Sequence, residues 1–279
     1  MDDLPSRYRI PLSAPDIQEE EISLVTRVLR SNWLSGGPTI KLLERKFAEY
    51  IGSRFAIGVA NGTSGLHLCM RAAGVAEGDE VITTPFSFVA SANSILYERA
   101  RPVFVDIDER SLNLNPALVT GALSPRTRAI LPVHIFGQPC ALEEFQAVCR
   151  DRNLVLIEDA CEAVGAEYNG RKVGTFGKAA VFSFYPNKVM TLGEGAIITT
   201  DDPAWAELLQ SLRNQGWSNA GAGTSQVRLG YNYRLDEMSA ALGLAQLGRL
   251  DELLDRRAKI ASRYSELLGS IPGWTTTDV

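Results

Sequence analysis

Between residues 55 and 200 the chain repeats one pattern: a short, nearly unbroken apolar run, then most often a segment of helical spacing. The runs are FAIGVA (55–60), EVITTP (80–85), PVFVDI (102–107), RAILPV (128–133), NLVLIEDA (153–160), KAAVFSFY (178–185) and GAIITT (195–200). LHLCMRAAG, SFVASANSILYERA and ALEEFQAVCRDR between them read as helices. Strands that alternate with helices, and that are apolar along their length as LVLI is, predict an α/β fold. Its centre is a mostly parallel sheet lying between helices. Two helices are predicted ahead of this pattern. The first covers 16–31, with Asp16 as its cap and Ile17, Ile22, Val25, Val28 and Leu29 on one face; the second carries Leu42, Leu43, Phe47 and Tyr50. SNWLSGGPT (31–39) separates them, and from Leu235 to about Leu268 the pattern is one long helix or a broken pair.

A length of 279 residues suits one large domain, or one domain and part of a second. A net charge of -5, with no dense Lys/Arg run, argues against nucleic acid as the main partner. Cys69, Cys140, Cys149 and Cys161 form no C-x-x-C pair, and His67 and His134 are the only histidines, so no metal is expected. The opening MDDLPSRYRIP lacks the basic-then-apolar order of a signal peptide, and no run approaches the length of a membrane span. The expectation is a cytoplasmic protein without membrane contact.

In an open parallel sheet, ligands bind beyond the carboxyl ends of the strands. After FAIGVA comes Asn61-Gly62-Thr63-Ser64-Gly65 and a helix. Gly62 and Gly65 permit close backbone approach, while Thr63 and Ser64 offer hydroxyls and N–H groups at a helix start, where a phosphate is well received. An ordinary turn with a Thr or Ser cap fits the same residues. After NLVLI come Glu158 and Asp159. A carboxylate at the end of a buried strand needs a partner, which is a helix end, an ion pair, a metal or a cationic ring nitrogen. After AVFSF come Tyr185-Pro186-Asn187-Lys188. Lys188 reads either as a surface lysine or as an imine-forming amine, which must be partly desolvated. Ser183 stands five positions earlier, and the Gly193-Glu194-Gly195 loop follows. An anion cradle, a buried carboxylate and a lysine together match the needs of pyridoxal phosphate: a seat for its phosphate, an acid for its ring nitrogen and an amine for its aldehyde. Phe88 could supply a ring face, or pack in the core.

The stretches NGTSGLHL, GDEVITTPFSFVASAN, PVFVDID, AILPVHIFGQP, LIEDACEAVGAEYNGRKVGTFG, FSFYPNK, GEGAIITT and GYNYRLDEMSAALGLAQL occur in one order across most of residues 10–268. In these the chain resembles the DegT/StrS-type (DegT/DnrJ) sugar aminotransferases, which have the fold type I pyridoxal-phosphate architecture. The resemblance implies that Lys188 carries pyridoxal 5′-phosphate and then serves as acid and base. It implies that Asp159 pairs with the ring nitrogen, that Phe88 stacks on the ring, and that Gly62, Thr63, Ser64 and Ser183 hold the phosphate. Asn232 would reach the phosphate of a second subunit, which makes a homodimer the expected assembly. The implied reaction is a ping-pong transfer of nitrogen from glutamate to a nucleotide-linked keto sugar, for polysaccharide or secondary-metabolite amino sugars.

The family often has A-Q-A-H-G after E-D-A, with the glutamine beside the cofactor's phenolic oxygen; here Cys161-Glu162-Ala163-Val164-Gly165 stands there, and Ala196 replaces a common glycine. Members continue into a smaller C-terminal domain. The implied division is a cofactor-binding domain over 1–250 with an N-terminal helical segment, and the start of a truncated small domain over 251–279. A cofactor-binding regulator, or an inactive truncated homologue without turnover, is the alternative. Sugar dehydratases on the same scaffold typically have histidine in place of the lysine, which Lys188 opposes. A plain nucleotide-binding domain would show G-x-G-x-x-G or G-x-x-x-x-G-K-[ST], and neither is present. Trp33, Leu34 and Ser35 lie on a loop that would touch the sugar or serve packing.

Overall fold

A computed structural model of the chain describes residues 13–218 and 225–273. The MDDLPSRYRIP opening and the final WTTTDV of the closing segment lie outside the described residues.

The chain begins with helices α1 (Glu19–Ser31) and α2 (Pro38–Ile51), then strand β1 (Phe55–Val59) and helix α3 (Gly62–Ala72). Next come β2 (Glu80–Thr83), α4 (Ala90–Leu96), β3 (Arg101–Phe104), α5 (Pro116–Ala122) and β4 (Thr127–Ile130). Helix α6 (Leu142–Arg152) leads to β5 (Val155–Asp159), the small hairpin β6 (Glu167–Tyr168) and β7 (Arg171–Lys172), then β8 (Ala179–Ser183) and β9 (Ala196–Thr200). Helices α7 (Pro203–Arg213), α8 (Glu237–Gly248) and α9 (Leu250–Leu268) follow.

Among the described residues seven strands form the central sheet in the order β1-β9-β8-β5-β4-β2-β3. The pairs from β8 to β3 are parallel, whereas β9 runs antiparallel to both β8 and β1. The connection explains the exception: no helix separates β8 from β9, so the chain turns back within residues 184–195 instead of crossing over. Gly193 and Gly195, at φ 77° and 155°, make that reversal in backbone regions that other residues rarely adopt.

Alternation along β8 divides the core into two layers. Ala180, Phe182 and Phe184 face Leu43, Phe47 and Leu235, while Ala179 and Val181 face Leu66, Met70 and Ile157. Phe47 meets Phe182 and Phe184 edge-on, with ring centroids 5.2 and 5.5 Å apart. Each such buried side chain contributes about 2–3 kcal/mol of transfer free energy.

Several local readings change. The cap of α1 is Gln18, in a capping box with Glu21, and not Asp16, whose carboxylate instead binds Arg249 and Arg256. The NGTSG segment is already helical from Gly62, and the cap is Asn61, neither Thr63 nor Ser64. Helix α4 is limited to Ala90–Leu96 because residues 84–89 cross the carboxyl edge of the sheet first. The segment after Leu235 is a broken pair, divided at Arg249. Helices α5 and α7 and the β6–β7 hairpin were not expected. For α5 and α7 the signal was present in Asn115-Pro116 and Asp202-Pro203, each a capping side chain before a first-turn proline.

Candidate active site

A cavity of about 420 Å³ opens at the carboxyl edge of the sheet. Its walls include Gly62 and Thr63 from the start of α3, Phe88 before α4, Asp159 at the end of β5, Glu162, Ser183 at the end of β8, and Lys188. Seven residues singled out at separate places in the sequence thus share one space. A larger depression, about 800 Å³, lies at the opposite edge, against the start of β5 and β8, and holds none of them.

Lys188 is held by the turn after β8. Its N–H donates to Tyr185 O at 2.9 Å, and its Nζ donates to Glu162 Oε1 at 3.0 Å, with side-chain exposures of 19% and 33%. The other oxygen, Glu162 Oε2, accepts Phe136 N–H at 2.9 Å. The carboxylate is therefore turned to the lysine and to the 135–137 turn, which answers where this departure from the family pattern points.

Asp159 is buried at 4% exposure. Its Oδ2 accepts Ser91 Oγ–H at 2.7 Å and its Oδ1 accepts Cys161 N–H at 3.2 Å. Burial, and then the neighbouring Asp159 charge, pushes the Cys161 thiol well above its ordinary range. That thiol lies against the cavity wall and stays protonated there.

The neighbouring Glu158 points the other way, below the sheet, and is fully buried. It accepts Gly174 N–H at 2.8 Å, Phe176 N–H at 2.9 Å and Gly177 N–H at 2.7 Å, and faces His134 Nε2 at 3.2 Å. His134 Nδ1 accepts Cys140 N–H, so the ring proton sits on Nε2 and is donated to Glu158. Burial works to raise the Glu158 carboxyl, but His134 and these backbone donors outweigh it and hold the carboxyl below its ordinary value. Of the two adjacent carboxylates, one anchors the 174–177 loop and the other faces the cavity.

At the start of α3, Ser64 N–H is spent on Asn61 Oδ1 at 2.9 Å, and Ser64 is not on the cavity wall. A Cβ placed on Gly62 would come within 3.0 Å of Ser183 Cβ and 3.1 Å of Ser183 Oγ. The missing side chain is what lets the helix end and Ser183 share one narrow anion seat. Phe88 is 78% exposed, which makes its ring a free face at the cavity mouth and not core packing. Asn232 is exposed and bridges to Asn214, away from this cavity. Trp33 and Leu34 are exposed on a loop pinned by a Ser35–Asp236 bridge, and this loop does not line the cavity either. The donor set fits pyridoxal phosphate: an amine, a buried carboxylate, a glycine-floored helix start with an adjacent hydroxyl, and an open aromatic face.

The residues that the sequence reading passed over are Ser91, Ser87 and His134. Each acts through a group it touches; Ser87 and Ser91 lie in GDEVITTPFSFVASAN and His134 in AILPVHIFGQP, but nothing in those stretches names the group each one contacts.

The sequence profile described as the DegT/DnrJ/EryC1/StrS aminotransferase family matches residues 15–279. The spore coat polysaccharide biosynthesis protein SpsC of Bacillus subtilis is 41% identical over 276 residues, which is 96% of this chain and 71% of that protein. The GDP-perosamine synthase of Caulobacter vibrioides is 43% identical over 272 residues, 97% of this chain and 72% of that protein. Among solved structures, Helicobacter pylori PseC, an aminotransferase of pseudoaminic acid biosynthesis, superposes with a TM-score of 0.90 at 32% identity, covering 94% of this chain and 71% of that one.

Proposed function

Since the chain belongs to the DegT/DnrJ/EryC1/StrS aminotransferase family, we propose that it moves an amino group from glutamate to the keto carbon of a nucleotide-linked sugar. It is a sugar aminotransferase of amino-sugar biosynthesis, and its cofactor is pyridoxal 5′-phosphate. The non-catalytic alternative is not favoured, because the relatives include a named synthase and an aminotransferase.

The observation that carries the site assignment is that Lys188 Nζ, Asp159 and the start of α3 face one cavity. Bound there, the cofactor supplies an electron sink for the carbon that exchanges nitrogen. Lys188 Nζ would hold its aldehyde and move the substrate proton. Asp159 would keep the ring nitrogen protonated. Thr63 and Gly62, with the α3 dipole and the Ser183 hydroxyl, would take the phosphate, with Ser64 supporting the turn. Phe88 would cover the ring and exclude water from one face. Glu162 would sit at the lysine end, near the phenolic oxygen.

The assembly proposed is a homodimer in which Asn232 enters the partner's site. In support, Asn232 is exposed away from its own cavity, and Leu229 close to it is 75% exposed. We place the chain in the cytoplasm, with free Cys69, Cys140, Cys149 and Cys161 in support; among the described residues no helix is long and apolar enough to cross a membrane. Residues 1–250 form the cofactor domain in this reading and 251–279 begin a small domain, supported by Ile260, Tyr264 and Leu267, which stand exposed on α9.

The test is an absorption spectrum of the protein with added pyridoxal phosphate, for wild type and Lys188→Ala. A visible band in the wild type alone, bleached by glutamate, is expected. Equal bands in both would remove Lys188 from its role, and no band in either would remove the site.

A further inference from the structure

Two serines connect Asp159 to the segment that carries Phe88. Ser91, in the first turn of α4, is 2% exposed and donates its hydroxyl to Asp159 Oδ2 at 2.7 Å, across 68 positions of sequence. Ser87 Oγ lies 2.8 Å from Ser91 Oγ, and both serines line the cavity. A serine has one hydroxyl proton, and a carboxylate has none to give. Ser91 spends its proton on Asp159, so Ser87 must donate to Ser91. The order of the protons along Ser87, Ser91 and Asp159 is thereby set. Ser91 N–H also donates to Phe88 O at 3.2 Å, and Ser94 Oγ holds Ser91 O at 2.8 Å.

We infer that Ser91, backed by Ser87, is a positioning residue that fixes the Asp159 carboxylate relative to the Phe88 ring. This rests on the proposed function, in which those two groups grip the same cofactor ring. With Oδ2 taken by Ser91 and the carboxylate steadied through Cys161 N–H on Oδ1, Asp159 has little freedom to rotate. Lys188, Glu162, Cys161, Tyr185 and Glu194 are the other ionisable groups on the cavity wall, and none of them contacts Ser91 by a hydrogen bond among the described residues.

The experiment loads the full chain with pyridoxal phosphate and titrates its visible band with pH, for wild type, Ser91→Ala, Ser91→Thr, Asp159→Asn and the Ser91→Ala/Asp159→Asn double variant. Melting temperatures of the same proteins are recorded. Ser91→Ala is expected to keep the band but move its midpoint upward by roughly half a pH unit or more, because a ring nitrogen gripped less firmly withdraws less charge from the Lys188 nitrogen. Ser91→Thr, which keeps the hydroxyl, restores the wild-type midpoint. In the Asp159→Asn background, Ser91→Ala adds no further shift, as coupled residues should behave. A wild-type midpoint in Ser91→Ala, or an equal shift with and without Asp159, overturns the inference, whatever the melting temperature does. If Ser91→Ala fails to fold, Ser91→Cys is compared with Ser91→Thr: a shift in the cysteine variant alone supports the inference and identical midpoints overturn it. Absence of a band in the wild type overturns the proposed function itself, and is distinguishable because it needs no serine variant.

Discussion

Lys188 Nζ and Glu162 Oε1 are 3.0 Å apart, and the second oxygen of the same carboxylate is held by Phe136 N–H. One side chain thus links the lysine to a turn whose Phe136 has the left-handed φ of 53°. In the proposed site this carboxylate stands near a phenolic oxygen of anionic character. Glu162→Gln keeps an acceptor for one of the two donors, turns its N–H₂ group to the other side, and removes the like charge. The expected outcome is pyridoxal phosphate binding tightened by roughly threefold to tenfold, a modest gain because the pair is partly solvated. Titration of the cofactor against intrinsic fluorescence checks this, and weaker binding by the glutamine variant contradicts it.

Gly62 tests the anion seat. An added Cβ would crowd Ser183 Oγ at 3.1 Å and Cys161 Sγ at 3.3 Å. Overpacking of that size costs about 1 kcal/mol, while alanine regains up to about 1 kcal/mol of helix propensity at this first helical position. Gly62→Ala is therefore expected to melt within a few degrees of the wild type while losing about tenfold in affinity for pyridoxal phosphate. Free phosphate as a competitor should lose potency in parallel. A large fall in melting temperature with unchanged affinity would show that the glycine serves the fold alone.

Glu158 carries a different expectation from its neighbour. It accepts three backbone N–H groups and the His134 proton without contact with water. Glu158→Gln turns an N–H₂ group toward some of those donors. The expected cost is about 3 kcal/mol of folding stability, read by urea unfolding. The cofactor band of whatever protein remains folded should be retained, because the carboxylate faces away from the cavity.

Asp16 predicts a pH dependence. The hydrogen bond from Arg256, then that from Arg249, lowers its carboxyl from the ordinary 3.8 to about 2. A folded value below the unfolded one means that the stabilisation is fully present above pH 4 and is lost as pH falls toward 2. The pair is partly exposed, so Asp16→Asn is expected to cost only about 1 kcal/mol at pH 7. The difference between variant and wild type should shrink below pH 4 and vanish near pH 2. A constant difference across that range would show that packing, and not charge, is lost.

Much of the architecture was legible because it follows from local chemistry. Apolar runs such as LVLI and AVFSF, short and bounded by turn residues, fit buried strands better than helices, and Pro186, Gly193 and Gly195 mark where the chain leaves the sheet. Lys188 and Asp159 were readable as site residues because each closes such a strand, and strand ends in a parallel sheet converge. Helices α5 and α7 were missed although their Asn-Pro and Asp-Pro starts were visible, since their apolar faces are short.

What the order of residues settled was therefore the identity of the elements and the family of chemistry, since strand burial, turn backbone and an amine at a strand end are properties of a few neighbouring residues. What folding alone settled was the partner of each polar group. Glu237 caps α2 by accepting Gly37 N–H, 200 positions away; Ser91 and Asp159 are 68 apart; Glu162 reaches both Phe136 and Lys188 across 26. A side-chain hydrogen bond depends on distances of a few tenths of an ångström between elements that only the packed sheet brings together, and no spacing along the chain encodes that.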